Sequence, residues 1–78
     1  MLIQNLNGTS KRLPDGYSSW IKFWEAKTGE TAGAGKVGGH VKKTNSNDNA
    51  WYIAAITSAE NNATSPYNHS GTLAKLHD

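Results

Sequence analysis

Apolar residues change period along the chain. In "LIQNL" (Leu2 to Leu6) they alternate loosely, which allows a short strand, and the following "NGTSKRLPDG" is rich in turn formers. In "SSWIKFWEAKTG" they fall at Trp20, Ile21, Phe23, Trp24 and Ala26. That spacing predicts a helix with one buried face, with Ser18 or Ser19 as N-cap and Gly29 as C-cap. "KVGGHVKK" and "AWYIAAIT" read as two strands joined by the polar loop "TNSNDN", a β-hairpin. Thr57-Ser58-Ala59-Glu60 follows with capping-box spacing, so a short helix is expected there. It ends soon, because "NNATSPYNHSG" holds Pro66 and poor helix formers. "TLAKL" (Thr72 to Leu76) supplies a last edge strand. The expected fold is therefore a small single α+β domain over residues 1–78, with a Trp-bearing helix, a hairpin leading into a capped helix, and short terminal strands.

Length and composition narrow how such a domain is held together. With 78 residues there is room for one small core. The chain contains no cysteine, so disulfides and thiolate metal sites are excluded and stability rests on packing or on association, as a monomer or weak dimer. Trp20 and Trp24 are four apart on one helical face, and Trp51 shares a strand face with Ile53, which makes these tryptophans expected core anchors. The apolar stretch at the N-terminus is too short for a signal peptide, and no segment approaches the ~20 apolar residues of a membrane helix. A cytoplasmic protein is expected.

A formal charge of +2 is compatible with nucleic acid without requiring it. Lys11-Arg12 and Lys42-Lys43 are the only adjacent basic pairs. Gly35-Lys36 does not make a phosphate-binding loop, since Glu30 occupies the position of the required glycine and Val37 that of the magnesium-binding Ser or Thr. Tyr52, on the strand face opposite Trp51 and across the hairpin from Lys42 and Lys43, is the best candidate for a binding surface. Lys42, Lys43 and Tyr52 would form the contact set, with Lys36 and Arg12 as peripheral phosphate contacts. His69 and His77, drafted as zinc ligands with Asp78 or Asp48, would hold zinc weakly at best and are expected on the solvated surface.

The order strand, His40, strand, short helix in "VGGHVKKTNSNDNAWYIAAITSAENN" resembles the HNH, or His-Me finger, nuclease motif. That resemblance implies His40 as general base and Asn61 as ligand of one divalent cation, magnesium or manganese, on a scissile phosphate. The residue orienting the base would be Tyr52 or, out of register, Asn49. Over most of its length, through "LIQNLNGTS", "DGYSSWIKFW", "VGGHV", "WYIAAITSAEN" and "SGTLAKL", the chain is similar to small bacterial proteins that look like zinc-binding HNH relatives with a treble-clef arrangement. Where their pattern has cysteines, this chain has Asp15, Tyr17, Thr57 and Glu60, and another Cys-rich segment is reduced to "TAGAGK". Thr57 and Glu60 can fix by reciprocal hydrogen bonds a turn that zinc would otherwise fix. A cap contributes on the order of 1 kcal/mol against roughly 10 for structural zinc, so aromatic packing must make up the difference. The reading is a metal-free, non-catalytic module that binds nucleic acid or a protein partner without a cofactor. The alternatives are a metal-dependent nuclease and a small protein inhibitor from a mobile element, which an exposed apolar patch around Trp51 would favour.

Overall fold

The computed structural model describes residues 1–6, 16–44, 47 and 50–76. Arg12, Asp15, Asp48, Asn49, His77 and Asp78 lie outside the described residues. The elements run β1 (Leu2–Asn5), α1 (Trp20–Thr28), β2 (Lys36–Lys43), β3 (Tyr52–Thr57), α2 (Ser58–Asn61), β4 (Tyr67–Asn68) and β5 (Leu73–Lys75). The strands form one antiparallel sheet in the order β4-β1-β2-β3-β5. This is the expected α+β domain with one addition, the two-residue β4 inside "SPYNHS".

Both helices start where side-chain chemistry provides a cap. Ser19 Oγ accepts from Lys22 N, and Gly29 closes α1 at φ 74°, a left-handed conformation that costs glycine nothing. Thr57 and Glu60 form the full capping box at α2.

The sheet must coil. The outer strands of a flat five-stranded sheet lie roughly 19 Å apart at about 4.8 Å per spacing. Residues 69–72 join those two outer strands, and their full extension reaches only about 18 Å. They must also travel along the strands, because Asn68 pairs with Leu2 while Leu73 pairs with Ala54. The edges therefore curl towards each other. Ile3, Val41, Tyr52, Ala54 and Ile56 fill the concave side, and Tyr67 and Leu73 pack on them from the two outer strands.

Alternation along the strands sends the remaining side chains to the convex side, where α1 lies. Phe23 and Trp24 pack there against Ile53, Ala74 and Leu76, with Tyr17, Trp20, Ile21 and Trp51 around them. Trp24 is buried and donates its indole N–H to Thr72 O at 2.8 Å. Burying one such side chain is worth roughly 1.5–3 kcal/mol. Of the three expected anchors, Trp24 is a core residue, and Trp20 and Trp51 are partly buried against the same cluster.

α1 can approach β2 because Gly38 has no side chain. A Cβ there would stand 2.5 Å from the Trp20 carbonyl carbon and 2.6 Å from Ile21 N, backbone atoms with no rotamer to yield. Gly38→Ala should lower stability by about 1–3 kcal/mol or more by lifting α1 from the sheet. Urea denaturation followed by tryptophan fluorescence would read this as a lower midpoint, and an unchanged midpoint would contradict the packing.

Candidate nucleic-acid interface

Three lysines gather at the end of the sheet where β2 finishes. Lys43 is on the concave face and sets its Nζ 5.0 Å above the Tyr52 ring. Lys75, exposed on β5, pairs with Tyr52 from the other side, so alternation places it on the same face. Lys42 projects from the opposite face of the same strand end. The expected pairing of Lys43 with Tyr52 across the hairpin is present. Tyr52 itself needs correcting as a surface residue: it is only 8% exposed and belongs to the core. Its position opposite Val41, in the row filled by β1 and β5 neighbours, buries the ring that one-strand alternation alone would leave open.

Lys75 is the residue that the sequence reading missed. Its nearness to Lys43 depends on β5 pairing with β3, and "TLAKL" carries no sign of its neighbour. Lys36, expected as a peripheral phosphate contact, stands at the far end of β2, about 23 Å from Lys43 at roughly 3.3 Å per residue. It pairs with Thr57 and faces Glu60. Arg12 falls outside the described residues.

His40 and Asn61 are not brought together. The half-buried His40 ring lies on the convex side, edge-on to Trp20 with centroids 4.6 Å apart. The Asn61 carboxamide is exposed and its Oδ1 lies over Gly39, 3.0 Å from where a Cβ would be, beside Ile56 on the concave side. Neighbouring strand positions face opposite ways, so β2 itself separates the expected base from the expected metal ligand. Tyr52, the expected orienter of His40, likewise faces the concave core. Among the described residues, no three His, Asp or Glu side chains converge as a metal site.

The turn after β3 is fixed by hydrogen bonds. Glu60 N donates to Thr57 Oγ1 at 3.1 Å, and Thr57 N donates to Glu60 Oε1 at 3.0 Å. Asn5 completes it from β1, donating its Nδ2 to Glu60 O at 2.6 Å, which also accepts from Ala63 N at 3.0 Å, and to Ala63 O at 3.0 Å, beyond the end of the short helix. Tyr67 Oη then donates to Asn5 Oδ1 at 2.8 Å. In sequence Asn5 is only a polar residue in a loose strand, and nothing marks this role.

His69 is a second correction. Expected on the solvated surface, it is half-buried in the β4–β5 connection, and its Nε2 is buried with no hydrogen-bond partner. The signal available in sequence was Gly71, two residues on.

No helix of the described residues is long and apolar enough to cross a membrane. Met1 is the one large apolar side chain exposed among them, while Trp51 is partly buried against the α1 cluster.

The Thr57 backbone N–H holds the Glu60 carboxyl below the usual carboxylate value, burial opposes, and the Thr57 hydroxyl, Lys36 and His69 add smaller lowering effects. Its contribution is present above the unfolded carboxyl value and is lost as pH falls through the lower folded one. Thr57→Ala should cost about 1 kcal/mol and flatten the acid limb of a stability profile; an unaltered profile measured by thermal unfolding would mean that the cap does not stabilise the fold. Compared with protein-family models, with curated proteins and with solved structures, the chain matches none of them.

Proposed function

We propose that the chain is a cytoplasmic, non-catalytic binding module whose partner is nucleic acid, held through its phosphates by Lys42, Lys43 and Lys75. The observation that carries this reading is the gathering of these cations, from two separate stretches of sequence, at one end of the coiled sheet, Lys43 and Lys75 on the Tyr52 face and Lys42 on the other. The three described carboxylates, Glu25, Glu30 and Glu60, belong to α1, its following connection and α2. Phosphate contacts position a partner and carry no sequence information, and the buried Tyr52 ring offers no platform for a base. Binding of this kind is electrostatic and indifferent to sequence.

Two features weigh against the other readings. An inhibitor that docks through apolar surface around Trp51 would need that side chain displayed, and Trp51 is partly buried against the cluster of Phe23, Trp24, Ile53, Ala74 and Leu76. A His-Me finger nuclease would need His40 and Asn61 on one cation, and they occupy opposite faces of β2. The scaffold still follows the strand, histidine, strand, capped-helix order, which supports a metal-free relative of that motif that has retained shape without the catalytic constellation.

Fluorescence anisotropy with labelled duplex and single-stranded oligonucleotides of unrelated sequence tests the proposal. Three phosphate contacts predict a slope of about −2 to −3 for log affinity against log salt on duplex DNA. Combined Lys42→Ala, Lys43→Ala and Lys75→Ala should abolish binding, whereas Lys36→Ala should leave most of it. Absence of binding to either form at low salt would overturn the reading.

A further inference from the structure

A cleft enclosing about 340 Å³ opens where the end of α1, the start of β2, α2 and the β4–β5 connection meet. Trp24 and Ala55 line its apolar part, and Lys36, Glu60 and the connection residues His69 and Gly71 line its polar part. Asn68 to Gly71 form one wall, anchored beyond the cleft by the Trp24 indole on Thr72 O and by the Thr72 hydroxyl on Glu30, and before it by His69 N on Met1 O at 2.8 Å.

The imidazole of His69 is wedged inside this wall. A Cβ on Gly71 would stand 2.7 Å from Nε2 and 3.1 Å from Cε1, so the ring lies directly beneath the Gly71 backbone. Nε2 has no hydrogen-bond partner in this position. A neutral imidazole tolerates that, because one nitrogen can remain an acceptor with nothing to donate. An imidazolium does not, since both nitrogens must then donate and a buried cation without an acceptor is costly.

The charged groups around it are Glu60 from α2, Lys36 from β2 and the Met1 ammonium ahead of β1, with Glu30 lining the same cleft. Glu60 is the anion that favours the protonated ring, but its carboxylate already receives the Thr57 N–H and hydroxyl. Protonation therefore leaves two outcomes: Glu60 is drawn from the cap of α2, or the ring leaves its place beneath Gly71.

We propose that His69 is an acid-sensitive latch, closing the β4–β5 connection over the cleft while neutral and releasing it when protonated. Burial, assisted by Lys36 and the N-terminal ammonium and opposed by Glu60, holds the imidazole below its ordinary value. The open form therefore takes up the proton first. The closed state is fully favoured above the ordinary imidazole range near 6.5 and loses ground as pH falls from there towards the lower closed-state value. One pH unit below 6.5, opening should rise by up to about tenfold.

Amide hydrogen exchange over residues 58–63 and 69–73, with the Trp24 indole N–H as a further probe, reads this at about pH 7.5 and about pH 5.5 once intrinsic exchange is corrected. In the unaltered protein these sites should lose protection on acidification while β2 and β3 keep theirs. His69→Gln should exchange equally at both values. Gly71→Ala should push the ring out and show the open pattern already at neutral pH, and the positive-φ strain that often accompanies such changes does not arise at Gly71. Constant protection in the unaltered protein, acid opening that survives His69→Gln, or normal neutral-pH protection in Gly71→Ala would each overturn the latch.

Discussion

The contact between Trp20 and Gly38 is the constraint on which the rest of the domain depends. Because β2 has no Cβ there, the first turn of α1 rests on strand backbone, and Phe23 and Trp24 reach the sheet one turn later. Once α1 occupies the convex side, Ile53, Ala74 and Leu76 are buried beneath it and His40 is left with the Trp20 ring as neighbour. The concave side is then closed by the sheet curling on itself. A small chain without disulfide or thiolate metal site thereby builds two apolar clusters on one sheet, which is how it escapes the limit that a single small core sets.

The local elements were legible because each was written in a few adjacent residues. Ser19 and Gly29 bound α1, Thr57 and Glu60 start α2, and "KVGGHVKK" is β2 in full. What lay hidden depended on partners far away in sequence. Tyr52 looked available because alternation tells which face a side chain takes and not what covers that face. Lys75 joined Lys43 only through the pairing of β5, and Asn5 gained its role only when α2 arrived beside β1. β4, two residues long and directly after Pro66, is too short to carry a period of its own. The candidate site was half readable for the same reason: Lys42 and Lys43 are local, whereas their third cation and the separation of His40 from Asn61 are tertiary facts.

The turn after β3 shows how hydrogen bonds replace a stronger clamp. Thr57, Glu60, Asn5 and Tyr67 form one chain of donors and acceptors that joins the end of β3 to both β1 and β4. Each bond contributes modestly, about 1 kcal/mol, yet removing a middle member leaves partly buried partners unsatisfied, which costs more than the bond supplied.

The pairing of β4 with β1 also sets how the molecule is made. Tyr67 and Asn5, whose side chains meet, are separated by 62 positions in sequence. The hairpin and the capped turn can form from neighbouring residues, but the outer edge of β1 must wait until almost the whole chain exists. At about 5–20 residues per second of synthesis, that wait is roughly 3–12 s. Throughout it the N-terminal strand presents an unfilled ladder of backbone donors and acceptors, an invitation to pair with another nascent chain. The short segment that closes the sheet on β1 is therefore also among the last to join it.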